Sequence, residues 1–293
     1  MTTSEFDGPI SPFAGLGVAI LAISTSAILV RWSTAPSLVK AFYRVVFTVA
    51  LLAPVALIRH RGVLATISHR DLAAASGAGV ALAAHFASWF ESLNHTTVAA
   101  SVTLVQAQPL FVAVGAWAFL DERVSRRTTI GIGVALAGMV LMSVSDLLAP
   151  SSAPRPLLGN GLAVVGAVTA AAYVLTGRSV RSRVALVPYV VVVYSVCAVT
   201  LLAVTLARGD PLAGYPLREW LLFLGMALGP GIFGHTVINW ALAHLESSVV
   251  SVSLLGEPVG STILALFLLT EIPTLPTVLG GAVVLFGIYI TAS

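Results

Sequence analysis

The sequence predicts an all-α polytopic membrane protein of ten transmembrane helices, built as two inverted halves of five. Three observations carry that expectation. Of the 293 residues, 58% are hydrophobic and 9% are charged, whereas soluble domains carry about 25% charged residues. Ten apolar runs follow one another, each near the ~20 residues an α-helix needs to cross about 30 Å of hydrocarbon. The second half of the chain also repeats part of the first at a constant offset.

The composition narrows the partners. A pI near 9.4 raises the idea of nucleic acid, but the 15 Lys and Arg residues lie mostly in short breaks between apolar runs. Orientation signals of membrane proteins are distributed in that way, so the lipid bilayer is the expected partner and nucleic acid is not. A single cysteine, Cys197, sits inside an apolar run and supports neither a disulfide framework nor a Cys-based metal site. No metal or other cofactor is expected. The flank from Met1 to Pro12 carries Glu5 and Asp7 but no basic residue, unlike the positive start of a cleaved signal peptide. The first apolar run therefore counts as a span.

The runs centre on residues 13–30, 36–57, 72–92, 98–120, 128–145, 158–176, 184–206, 219–242, 248–269 and 275–291. The longest internal break, Asp146 to Leu157, holds three prolines and two serines and reads as a linker. It divides the chain into halves 12–145 and 158–293, joined by 146–157. Shifting the sequence by 149 places 108–144 on 257–293 without a gap. Pro109 then meets Pro258, Glu122 meets Glu271, Thr128 meets Thr277, Gly131 meets Gly280 and Gly138 meets Gly287. Apolar composition does not readily produce a Pro, a Glu, a Thr and two Gly at one offset.

Five spans per half is an odd number, so the second half must cross in the opposite sense, giving inverted repeats. The arginines agree. With the N-terminus inside, the inner loops hold Arg59, Arg61, Arg70, Arg123, Arg126, Arg127, Arg178, Arg181 and Arg183. The outer loops hold Arg31, Arg155, Arg208 and Arg218. This bias puts both termini in the cytoplasm of a bacterial-type inner membrane.

Ionisable groups at membrane depth mark candidate sites. Glu257 stands beside Pro258 near the middle of the ninth run, and Gln108 stands beside Pro109 at the matching place in the fourth. Proline removes a backbone donor and frees a carbonyl one turn earlier, and paired breaks at the midplane are where carriers bind substrate. In that reading Glu257 takes a substrate ammonium or a proton, and Gln108 supplies hydrogen bonds. Its competitor is a structural hydrogen bond between helices. His85, Ser88 and Trp89 fall at i, i+3 and i+4 and share one helix face. They suit the lining of a watery cavity. His235, Asn239 and Trp240 echo that stripe in the eighth run, and Tyr173 in the sixth is a further candidate. Arg44 sits about 12 Å below the outer end of the second run. It is placed either to attract a substrate carboxylate or, as the favoured reading, to pair with Glu91. Glu122 and Glu271 end their helices and are expected to be solvated or capping. Gly229-Pro230-Gly231 is read either as a hinge or as a site of close helix packing.

The stretch "QPLFVAVGAWAFLDERVSRRTTIGIGVALAGMVLMS", with its partner "EPVGSTILALFLLTEIPTLPTVLGGAVVLFGIYI", resembles the EamA repeat of the drug/metabolite transporter superfamily. That pattern has a mid-helix proline, a small and apolar run, a Leu-x-Glu helix end and a glycine-containing helix. "AFYRV" around Arg44 resembles the first repeat, while the seventh run has no equivalent cation. The resemblance covers essentially the whole chain and implies a ten-helix carrier with a central cavity. In size and layout the chain is similar to YddG-type amino-acid exporters of that superfamily. This implies a secondary transporter of small polar metabolites, amino acids foremost, working by alternating access. A multidrug or cationic-compound exporter of the same superfamily is the alternative.

Other classes are disfavoured. No phosphate loop of the Gly-x4-Gly-Lys-Ser/Thr type is present, so the chain is not expected to use ATP. His85, Glu91 and His95 suggest a metal site but lack His-Glu-x-x-His spacing, which argues against an intramembrane enzyme. The pair Gln108 and Glu257 lacks the ring of equivalent groups a channel wants. The orientation is directly testable. A cysteine at position 152 is expected to react with an impermeant maleimide added outside intact cells. Labelling only after permeabilisation would reverse the assignment.

Overall fold

In an apolar solvent every backbone N–H and C=O must be paired within the protein, and apolar runs therefore fold as helices. The structure, a computed structural model, describes residues 11–59, 62, 67–120, 125–148, 153–181, 183–238 and 253–292. All regular elements among them are helical. The first half contains α1 (Pro12–Trp32), α2 (Ser37–Arg59), α3 (His69–Ser92), α4 (Val98–Val105), α5 (Gln108–Leu120) and α6 (Arg126–Leu148). The second contains α7 (Pro156–Arg181), α8 (Leu186–Arg208), α9 (Leu217–Met226), a π-helical segment (Ala227–Thr236), α10 (Gly256–Leu268) and α11 (Leu275–Ala292).

Six stretches among the described residues are long and apolar enough to cross a membrane. They are α1, Ser37–Pro54 of α2, α3, Val98–Ala118 through α4 and α5, α7, and Val187–Arg208 of α8. α10 and α11 are apolar but shorter. The protein is thus a multi-pass membrane protein. Local chemistry sets several helix ends. Ser68 caps α3 by accepting from the Asp71 N–H, and Thr97 caps α4 by accepting from the Ala100 N–H, each satisfying an otherwise orphan donor. Gly209 ends α8 at φ +72°, a left-handed conformation that glycine adopts without penalty.

Large apolar side chains such as Phe13, Leu21, Trp117, Phe267 and Phe286 point outward, while the interior is rich in alanine, including Ala19, Ala41, Ala78 and Ala167. Lipid is as apolar as leucine, so helices associate through close contact of small residues rather than through exclusion of water. The most extensive pairing, α6 with α11, shows this. A Cβ added to Gly138 would stand 2.7 Å from the Val284 nitrogen and 2.8 Å from the Gly280 oxygen. A Cβ on Gly287 would stand 2.4 Å from the Ala135 nitrogen and 2.6 Å from the Gly131 oxygen. Rising numbers on one helix meet falling numbers on the other, so the two run antiparallel. Residues 131, 135 and 138 are also the offset partners of 280, 284 and 287. Each helix makes on its copy the contact that its copy makes on it, as a two-fold axis across the pair requires.

Other pairings follow the same exchange: α2 packs on its equivalent α8, and α3 packs on α7 as the π segment packs on α1. The π segment holds Gly229-Pro230-Gly231. A Cβ on Gly231 would meet Thr48 Oγ1 at 3.1 Å, and one on Gly234 would meet Ile23 Cγ2 at 2.4 Å. The motif therefore combines irregular winding, often seen at functional positions, with close packing on α1 and α2. Gly287→Leu is expected to destabilise the protein by about 1–3 kcal/mol through overpacking. Gly133→Leu should change stability by less than about 0.5 kcal/mol, because a Cβ at Gly133 meets nothing within 4 Å. Unfolding midpoints in detergent would separate the two, and equal shifts would refute the packing argument.

Candidate binding site

The fourth span is interrupted. α4 ends at Val105, a turn occupies Gln106 and Ala107, and α5 begins at Gln108. Pro109 falls in the first turn of α5, where its missing N–H would have had no helical partner. The ninth apolar run shows a comparable turn at Leu254 and Leu255, then α10, with Pro258 in its first turn. Glu257 also lies in that first turn, at the helix end whose dipole favours negative charge. The two interruptions face each other, because the Gln106 side-chain amide donates to the Glu257 carboxylate. Ser261 Oγ donates to the Ser24 carbonyl at 3.1 Å, which ties α10 to α1 beside them.

The sequence pointed to Gln108 as the polar group at the first break. The structure puts Gln106 against Glu257, and no described hydrogen bond involves the Gln108 side chain. Two residues along a helix turn the side chain by about 200°, so neighbouring glutamines look in nearly opposite directions. The proline register located the break correctly but not the residue that faces across it. The cue available in the sequence was that two glutamines, not one, flank Ala107.

Arg44 is the second departure. It is not paired with Glu91, whose carboxylate instead accepts from Asn94 at 3.1 Å and meets His95 Nε2 at 3.1 Å. Arg44 is buried, with 3% of its surface exposed. Its Nη1 donates to Ser26 Oγ at 2.9 Å. The guanidinium lies over Phe86, 4.6 Å from the ring centroid, and 5.7 Å from the centroid of Phe90. Tyr194, Cys197 and Glu257 are within electrostatic reach, yet Arg44 and Glu257 form no contact ion pair. Lys40, one turn nearer the start of α2, is the cation that feels Glu91 and Glu219, and its Nζ donates to the Val30 carbonyl at 3.0 Å.

His85 and Trp89 do share a face, with ring centroids 5.8 Å apart and nearly parallel planes. His85 Nδ1 lies 2.9 Å from the Gly166 carbonyl on α7. A carbonyl only accepts, so Nδ1 carries the hydrogen and Nε2 of the neutral ring remains an acceptor. The Trp89 indole nitrogen is buried with no partner among the described residues, an uncommon state for such a donor. His85 touches Phe86 and Trp89 touches Phe90, so contacts run from Arg44 through the phenylalanines to the stacked pair. Ser88 is half-buried without a described hydrogen bond. Tyr173 is half-buried and neighbours Tyr194 and Cys197 at the edge of this group. Asn239 and Trp240 lie outside the described residues, as does Glu122, and the side chain of His235 does too.

Glu271 is neither solvated nor a cap of its own helix. It pairs with Arg31 at 2.7 Å and accepts from the Val98 N–H at 2.5 Å, capping α4. Arg31 donates also to the Leu93 carbonyl at 2.7 Å. Nearby, Glu219 accepts from Ser33 Oγ at 2.5 Å and from the Thr34 N–H at 2.9 Å. These bonds form a polar seam across the end of the bundle where α1, α3, α4 and α10 terminate. A depression lined by Arg31, Thr97, Ala153 and residues 269–272 opens over it.

A model of the EamA-like transporter family matches residues 12–144 and again 157–293. An uncharacterized transporter of Archaeoglobus fulgidus is 31% identical over 207 residues, covering 69% of this chain and 71% of that protein. The pseudopaline exporter CntI of Pseudomonas aeruginosa is 26% identical over 206 residues, 70% of each chain. Among solved structures, one crystal structure aligns with a TM-score of 0.62 over 95% of both chains at 21% identity, a likeness of fold.

The two glutamines can be told apart. Gln106→Leu removes a donor from a half-buried carboxylate and is expected to cost about 1–3 kcal/mol. Gln108→Leu should cost less than half as much. Denaturant unfolding of the purified variants decides it, and a larger loss for Gln108→Leu would reverse the assignment.

Proposed function

Because the chain belongs to the EamA-like transporter family, we propose that it is a secondary exporter of small polar metabolites that carry an ammonium group, amino acids foremost. It works by alternating access, with ten spans forming two inverted five-helix repeats around a central cavity. It sits in a bacterial-type inner membrane with both termini in the cytoplasm. His85, Ser88, Trp89, Gln108, Tyr173, Asn239, Trp240 and Glu257 line the route, and Gln106 joins them.

The observation that carries this reading is the meeting of two helix interruptions at Gln106 and Glu257. Interrupted backbone at membrane depth is tolerated where it borders protein or a watery cavity, and carriers place substrate at such breaks. A carboxylate there is tolerable when protonated, paired or facing water. Glu257 can therefore exchange its amide partner, or a proton, for a substrate ammonium. The antiparallel self-contact of α6 and α11 supports the inverted arrangement, and the exporter among the relatives supports the outward direction. The second reading, a multidrug exporter, uses the same carboxylate for larger cations, and the stacked pair His85 and Trp89 would then shield apolar groups.

Glu257→Gln keeps the shape and removes the charge. It is expected to insert normally yet lose most transport of zwitterionic and cationic substrates, whereas Glu122→Gln loses much less. Initial rates in proteoliposomes, normalised to folded protein, provide the check. Wild-type rates for Glu257→Gln across a panel of amino acids, amines and cationic drugs would make the carboxylate structural.

A further inference from the structure

Arg44 has what a receptor for a carboxylate needs and lacks what a structural arginine usually has. A charge buried at membrane depth is costly unless it is paired. Among the described residues, no carboxylate lies within ion-pair distance of Arg44. One hydroxyl, Ser26 Oγ at 2.9 Å, and the faces of Phe86 and Phe90 hold it. These contacts orient the fork and stabilise it through the ring quadrupoles, while a single hydrogen bond uses one of its five N–H donors. None of its nitrogens is a walled-off donor without a partner. Among the described residues, Glu257 is the carboxylate that Arg44 feels through space, and it is engaged by Gln106.

The two charges also come from different halves. Arg44 belongs to the first repeat, and the seventh span, its counterpart, carries no cation. Glu257 belongs to the second, and the offset partner of Glu257 is the neutral Gln108. An architecture that is otherwise exchangeable between halves thus holds one cation and one anion, near each other but unpaired. We propose that Arg44 binds the carboxylate of the substrate while Glu257 binds its ammonium, so that the transported class is α-amino acids and related zwitterions, not amines or cationic drugs. This rests on the reading of Glu257 given above. A guanidinium matches a carboxylate through two parallel hydrogen bonds. A zwitterion placed between the two groups completes both half-pairs at once and satisfies each charge only when it bears both of its own.

Counterflow in proteoliposomes with matched pairs tests the idea: L-lysine against cadaverine, L-arginine against agmatine, L-histidine against histamine, L-tyrosine against tyramine. The expected result is that the wild-type protein moves the carboxylated member of at least one pair about tenfold faster or more, the scale of one charged hydrogen bond. Arg44→Gln should bring the two members together by slowing the amino acid and sparing the amine, and Arg44→Lys should fall between. Equal rates for both members in the wild type would overturn the role of Arg44 and leave that of Glu257 standing. So would an equal slowing of both by Arg44→Gln, which marks a structural residue. Movement of no member of any pair would defeat the amino-substrate reading of Glu257 as well. Should Arg44→Gln fail to fold, Ser26→Ala leaves the charge and frees the fork. A reduced preference for the amino acid then supports the proposal, and an unchanged one overturns it.

Discussion

Hydrocarbon offers backbone amides nothing to bond with, and that constraint organises this molecule. A helix can be broken at depth only where another part of the protein, or water, answers the freed groups. Here the break between α4 and α5 and the break before α10 are brought face to face, and side chains answer across them. Gln106 reaches the Glu257 carboxylate, and Ser261 reaches the Ser24 carbonyl. Placing either break against lipid would leave polar groups unsatisfied at several kcal/mol each. The interruptions must therefore lie inside.

What holds the breaks together is mostly shape. The interior is rich in alanine, and several glycines bring backbone close to backbone: Gly138 on α11, Gly287 on α6, Gly79 against the Val193 carbonyl. Such contacts leave no room for a side chain, so they set the distance between helices closely. Dispersion between surfaces this close substitutes for the hydrophobic drive that lipid does not supply. Because the closest pair is formed by repeat equivalents running in opposite directions, one contact surface serves twice.

Polar bonds concentrate at the ends of the bundle and in one internal group. At one end Arg31, Glu271, Ser33 and Glu219 tie chain segments that have little apolar surface to share. At the other, Asp71 holds Arg183 through two bonds of 2.7 and 3.0 Å, linking α3 to the start of α8. Between them, Arg44 and Glu257 break the exchange symmetry of the halves. Packing is indifferent to that asymmetry, since the shapes of the repeats still match. It bears only on what lies between the two charges.

Much of this was legible in the residues. Apolar length dictates helices, and a constant offset carrying Pro, Glu and Gly reveals the duplication that the two family matches show; both follow from counting along one chain. The stacking of His85 and Trp89 is equally local, being a matter of helical periodicity. The partners of Glu257, Arg44 and Glu271 were not legible: Arg44 is not paired with Glu91, Glu271 caps α4 and not its own helix, and Gln106 rather than Gln108 reaches Glu257. Which of two glutamines crosses to Glu257 depends on where a turn rotates the helix. Whether Arg44 or Lys40 senses Glu91 depends on the depth at which α2 sits beside α3. Glu271 meets Arg31 across 240 residues of sequence. By itself the sequence determined the elements and their order, because hydrophobicity and periodicity act within a segment. Only the tertiary structure decided the pairing of charges, because a hydrogen bond depends on ångströms and angles between segments that no spacing along the chain encodes.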